Sequence, residues 1–316
     1  MASGNIHGML FFMQSFPRGK SKIQYLLYQI IWRNIMKKIL SLFLVVLMAA
    51  MTLASCGGSG EPVVKVVEID LTQEEYAFGV DKTQPELLEQ VNAFLAEIKS
   101  NGKFDEICNN YFGDGTPVPV TSGVEDASKD QLVVATNAAF EPFEYMEGDK
   151  YLGIDMEIAA ALAEYLGKEL VISNMEFDAV CLSVGQQKCD IAMAGLTVKP
   201  DREEYVTFSD SYYNAAQKLI VPADSTEFDA CADAAAVEAI LNAKDASTII
   251  GVQTGTTGQF YVEGDEGWGF AGYPVTCTGY KNGSMAVQDL VNGNIQYVII
   301  DSAPAAAITA SINEMN

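Results

Sequence analysis

The chain has 316 residues, 49% of them hydrophobic, enough to bury a large core and to divide into two lobes. Its formal charge is −23, and residues 1–55 carry six Lys or Arg and no acid, so the remainder holds 13 basic against 42 acidic residues, a net of −29. Such acidity excludes a nucleic-acid binder, which needs basic patches, and because the single histidine, His7, falls in the leader, His-based triads, H-E-x-x-H zinc sites and imidazole bases are excluded as well.

Met36 opens a segment with two lysines, an apolar run from Ile39 to Met51 and small residues before Cys56. This is the pattern of a secretory signal over 36–55, too short for a comfortable membrane span. Leu53-Ala54-Ser55-Cys56 resembles the lipobox of bacterial lipoproteins, which implies lipidation at Cys56 and a lipid anchor holding the protein outside the cytoplasm at the cell membrane. An ordinary signal cut near Ala54 is the alternative. Residues 1–35 read as a non-native upstream extension, since a working signal begins at Met36. Residues 56–62, rich in glycine, form a flexible tether.

Val63–Ile69 and Tyr76–Val80 read as strands. Pro85 then opens a helix with Leu87, Leu88, Val91, Leu95 and Ile98 on one face, closed at Asn101-Gly102, and a second short helix follows over Phe104–Phe112. Residues 113–130 have a linker's composition. Beyond them Leu132–Thr136 is a strand, Gly153–Leu166 a helix with Ile154, Ile158, Leu162 and Leu166 at four-residue spacing, and Leu170–Asn174, Phe177–Val184 and Asp190–Met193 continue as strand, helix and strand. This alternation implies a parallel sheet. An acidic, Ala-rich insertion at 222–248 holds a helix near Ala234–Asn242. Strand Thr248–Val252, the turn Gln253–Gly258, a helix capped by Ser284 and ended at Gly293, and a buried strand Ile295–Ile300 complete the order.

The string Asp190–Tyr213, D-I-A-M-A-G-L-T-V-K-P-D-R-E-E-Y-V-T-F-S-D-S-Y-Y, places Gly195, Thr197 and the fork of Arg202 at a strand's end, where open α/β sheets bind ligands. It resembles the family 3 solute-binding proteins, polar amino-acid receptors of ABC importers. That resemblance implies a mixed α/β, type II periplasmic-binding-protein fold, with two doubly wound lobes joined by two hinge strands.

It also implies that Arg202 holds a ligand's α-carboxylate, that Thr197 and the Gly195 carbonyl hold its α-ammonium, and that Thr257 and Asp301 complete the two poles from the second lobe. Phe140 and Phe177 match positions that sandwich the ligand side chain. Asn137 stands where relatives selecting cations carry an acid, favouring a polar or small neutral amino acid, although Glu141 and Asp178 lie near enough in sequence to alter that. Read without the resemblance, Arg202 beside Glu203 and Glu204 is also a solvated charge. Asp301 is equally a helix cap, Gly255-Thr256-Thr257 a helix-entry turn, and the two aromatics core residues.

Glu75–Gly113 resembles the family's closing segment, yet it precedes the opening one, so the chain reads as circularly permuted, with two tandem-domain remnants as the alternative. The resulting boundaries are 76–112 plus 131–216 for lobe 1 and 63–75 plus 222–316 for lobe 2, with 76–80 and 217–221 as hinge strands. The expected partners are a small-molecule amino acid and ABC transporter permease subunits, with no cofactor and no metal. A monomer is expected, a segment-swapped dimer being the alternative. The mechanism implied is hinge closure.

Two rival readings stand beside this one. The same fold serves exported cyclohexadienyl dehydratases, where Glu141 would be the acid–base candidate, and a ligand-sensing module is the other. Once Cys56 is acylated, Cys108, Cys181, Cys189, Cys231 and Cys277 are an odd set, and their spacing suggests no zinc site.

Overall fold

The computed structural model describes residues 61–315. The extension, the signal, Cys56 and most of the tether lie outside the described residues. Fourteen strands and eight helices follow in the described region. The strands are β1 (Val64–Val67), β2 (Glu74–Tyr76), β3 (Gly79–Asp81), β4 (Gln131–Thr136), β5 (Tyr145–Glu147), β6 (Lys150–Leu152), β7 (Glu169–Asn174), β8 (Ile191–Ala192), β9 (Val206–Phe208), β10 (Tyr213–Ala215), β11 (Gln217–Pro222), β12 (Ile249–Gln253), β13 (Thr276–Tyr280) and β14 (Tyr297–Asp301). The helices are α1 (Pro85–Ser100), α2 (Lys103–Phe112), α3 (Ile154–Leu166), α4 (Phe177–Gly185), α5 (Ala234–Asn242), α6 (Thr257–Glu263), α7 (Gly283–Val291) and α8 (Ser302–Met315).

Two five-stranded sheets share one plan. The first runs β7-β4-β8-β3-β9 and the second β1-β11-β14-β12-β13. In each, three neighbouring strands are parallel, β7, β4 and β8 or β13, β12 and β14, and the remaining strands join antiparallel. Helices cover the sheets, so the parallel strands read as continuous apolar runs, as in the fully buried Tyr-Val-Ile-Ile-Asp of β14. Helix α1 buries Leu87, Val91, Phe94, Leu95 and Ile98, the stripe its 3.6-residue period dictates.

The chain crosses from one sheet to the other twice, and the crossing segments pair as the antiparallel ribbon β2–β10, with Tyr213 opposite Tyr76 and Ala215 opposite Glu74. The expected hinge strands sit a few residues away, at 76–80 and 217–221. After Tyr76 the chain has already entered the first sheet. Ala77 N donates to Leu196 O, and Gly79 packs so closely on Val206 that a Cβ there would lie 2.9 Å from the valine side chain. Leu219, Ile220 and Val221 are buried in the second sheet rather than spanning between lobes.

Residues 113–130 are packed rather than free. Val120 exchanges backbone hydrogen bonds with Tyr151, Gly123 N donates to Leu170 O, and Ile172 N donates to Ser122 Oγ. The cap of α7 is Asn282, whose side chain accepts from Met285 N at 3.0 Å, and not Ser284, which lies inside the first turn. All five described cysteines are free thiols.

Candidate functional site

The end of β8 turns sharply at Gly195, whose φ of +53° is a left-handed conformation. A Cβ there would come within 2.9 Å of the Phe140 ring, so glycine is required twice over. The Gly195 N–H donates to Asp155 Oδ2 at 2.9 Å from beneath, which fixes the turn. The chain then brings Thr197 into the interior, and the Lys199-Pro200-Asp201 turn starts a single 3-10 turn at Arg202.

Arg202 is only 8% exposed. Its Nη1 donates to Thr197 O at 2.8 Å, and its Nη2 reaches the second lobe, donating to Gly255 O at 3.1 Å. Its guanidinium lies 5.2 Å from the centre of the Phe177 ring. Gly255, at φ +79°, opens the turn into α6, and Thr257 Oγ1 there meets Thr197 Oγ1 at 3.3 Å. Asp178 is exposed, but its Cβ and Cα face Gly255. Asn137 Nδ2 donates to Met175 O, and Asn137 Oδ1 accepts from Gln253 Nε2 of the second lobe at 3.1 Å.

Asp301 ends β14 opposite Gln217 of β11. It is buried and accepts from Tyr76 OH at 2.5 Å. Burial, and then the charge of Glu74, push its carboxyl up to about 7. Glu74 accepts from Thr197 Oγ1 at 2.7 Å and from Gln217 Nε2 at 2.9 Å. Beneath the Gly195 turn lies a second acidic pair. Burial pushes Asp155 up to about 7 despite hydrogen bonds from Gly195 N and Tyr212 OH, and burial followed by the charges of Asp155 and Asp301 raises Glu144 well above the carboxylate range.

Asn137, Phe140, Phe177, Gly195, Thr197, Arg202, Thr257 and Asp301 thus fall in one contiguous interior region between the lobes. Sequence reasoning missed Glu74, Tyr76, Gln217 and Gln253. The available signal was the spacing Glu74-Glu75-Tyr76, in which a strand sends the first and third side chains to the same side. Lys199, in the turn that leads to Arg202, places its Nζ over the Phe260 ring and 3.4 Å from Asp265, both in the second lobe. Glu141 is exposed and makes no hydrogen bond to a described residue, and its carboxyl is raised by partial burial and by Glu147. Among the described residues, no cluster of three or more His, Cys, Asp or Glu could hold a metal ion.

Residues 132–305, more than half of the chain, match the family of bacterial extracellular solute-binding proteins, family 3. The chain belongs to this family. Its two α/β lobes joined by a double crossing are the type II arrangement of periplasmic binding proteins. Among individual relatives of this solute-binding protein, the arginine-binding extracellular protein ArtP of Bacillus subtilis (strain 168) is 38% identical over 104 residues, covering 33% of this chain and 40% of the relative. A probable histidine-binding protein of Neisseria gonorrhoeae is 26% identical over 179 residues, covering 55% of this chain and 59% of the relative. The putative ABC transporter arginine-binding protein 2 of Escherichia coli (strain K12) is 30% identical over 172 residues, covering 54% and 62%. The chain therefore spans between two fifths and about three fifths of these relatives' lengths. A solved structure, the ancestral amino acid-binding protein AncCDT-1, a precursor of cyclohexadienyl dehydratase, is 28% identical with a TM-score of 0.48, covering 58% of this chain and 74% of that one.

Proposed function

We propose that this solute-binding protein is an extracytoplasmic receptor that closes over one free amino acid and presents it to the permease subunits of an ABC importer. The observation that carries this reading is the placement of a buried cation and a buried anion in one network, with Arg202 bridging to Gly255 O and Asp301 tied to Tyr76. An amino acid is the small molecule whose two charges match these poles. Arg202 would take the α-carboxylate bidentately, Thr197, the Gly195 carbonyl and Asp301 the α-ammonium, Thr257 would complete the polar wall, and Phe140 and Phe177 would enclose the side chain. Pairing is what makes such burial tolerable.

Binding that touches both lobes favours the closed form over the open one, and a transporter can read that difference. Micromolar affinity corresponds to about −8 kcal/mol, feasible for a fully enclosed zwitterion. Asn137 favours a polar or small neutral side chain, while the relatives named above supply L-arginine as the first probe. Cys56 would anchor the receptor beside its transporter, and the protein would act as a monomer without nucleic acid or cofactor. We read the chain order as rotated relative to the family, because β1 and β3 complete sheets whose other strands come from residues 131 onward. A binding role is favoured over dehydration because Glu141 is exposed.

A thermal-shift screen of the twenty amino acids tests this reading, since a ligand of the native state raises its melting temperature. At least one amino acid should stabilise the wild type, and Arg202→Ala should abolish that shift. No response to any of the twenty, or turnover of prephenate or arogenate, would overturn it.

A further inference from the structure

Glu74 and Tyr76 are buried on one side of β2, and Glu75 between them is exposed. The crossing strand therefore delivers a carboxylate and a phenol together to the region between the lobes. Glu74 Oε1 accepts from Thr72 Oγ1 and from Gln217 Nε2, and its Oε2 accepts from Thr197 Oγ1. Asp301 accepts from Tyr76 OH. Two carboxylates, each 5% exposed, thus stand near one another with only neutral donors among the described residues.

A second observation is independent of those charges. Gln217 is fully buried, and its Oε1 has no hydrogen-bond partner, although its amide lies against Glu74. Buried acceptors in native structures are normally paired, and buried anions are normally matched by a cation. The Gln217 Oε1 lies against Gly258 at the start of α6, beside the Thr257 wall, so the region holds Glu74 and an unpartnered acceptor in addition to Asp301.

Resting on the receptor reading above, we propose that Glu74 is a second anionic contact for the ligand's primary ammonium and sets the site's selectivity for an α-amine over an α-hydroxyl. The Thr197 hydroxyl donates its one proton to Glu74 and accepts from Thr257 Oγ1, which leaves it one lone pair as an acceptor for the same ammonium. A primary ammonium brings three N–H donors and a charge, whereas an α-hydroxy acid brings one donor and none. Arg202 remains to balance the carboxylate common to both.

The test compares the strongest L-amino acid of the twenty with its α-hydroxy counterpart by calorimetry, L-arginine and argininic acid being the first pair. The wild type should prefer the amine roughly a hundredfold or more. Glu74→Gln should weaken amino-acid binding roughly tenfold or more while moving the hydroxy acid less than about threefold, because only the amine loses a charge-assisted contact. A merely structural role would weaken both probes alike. An unchanged ratio in a normally melting Glu74→Gln protein overturns this assignment and leaves the receptor reading intact, whereas failure of all twenty amino acids to bind the wild type overturns both. Should Glu74→Gln not fold, Glu74→Asp carries the test, since its shortened carboxylate should cut the ratio at least about threefold and an unchanged ratio refutes the proposal.

Discussion

The ammonium of Lys199, in the first lobe, lies 3.1 Å from the centre of the Phe260 ring in the second. Trp268 flanks it at 5.8 Å, and Asp265 and Asp201 balance its charge at 3.4 and 3.2 Å. None of these residues belongs to the amino-acid pocket proposed above, yet together they clasp the two lobes. A cation on an aromatic face at a desolvated site contributes about 2 kcal/mol. Lys199→Met should therefore favour the open form and weaken amino-acid binding roughly tenfold, with wild-type selectivity retained. Small-angle scattering with and without amino acid checks the first effect and calorimetry the second.

Asp155 and Asp301 both stand at about 7 in the folded protein, against about 4 for a free aspartate. The folded state then holds more protons than the unfolded one between those values, so the ligand-free protein loses stability as pH rises from about 4 through about 7. With Asp301 holding the ammonium as proposed, amino-acid binding should strengthen over the same rise as that carboxyl ionises. Melting temperature alone and melting-temperature shift with amino acid are expected to move in opposite directions between pH 5 and 8. Parallel movement would refute the role given to Asp301.

Gly195→Ala forces a side chain into a left-handed backbone and against Phe140. The strain alone costs about 1–3 kcal/mol. Melting should fall by several degrees, and amino-acid affinity should fall as well, because Thr197 follows two residues later. A variant with wild-type melting and affinity would show that the turn tolerates a Cβ.

Asn137→Asp replaces the amide that donates to Met175 O with a carboxylate facing Gln253 of the second lobe. Some stability is lost with that donor, about 1 kcal/mol. Selectivity should move toward cations, so that affinity for L-arginine rises relative to L-glutamine. Competition binding with the two amino acids decides the matter, and an unmoved ratio would remove Asn137 from the side-chain pocket.

The legible parts of the fold were those with a long period or a punctuating residue. Helix α1 showed itself through Leu87, Val91, Leu95 and Ile98, and the turn after β8 through a glycine in an apolar strand. Three-residue elements were not legible. Strand β2 is too short for a pattern to establish itself, so neither its pairing with β10 nor the buried side of Glu74 shows in the sequence. Serine and asparagine are both good caps, and only the backbone angles at Asn282 single it out over Ser284 at the start of α7. Contacts such as Gln253 with Asn137 join residues 116 positions apart, and no local rule anticipates them.

Val124 is 81% exposed, while the segment before it contributes β1 to one sheet and β3 to the other. A cut there would free neither half of the molecule, since the shorter piece is stitched into both and would have to peel from two cores at once before it could leave.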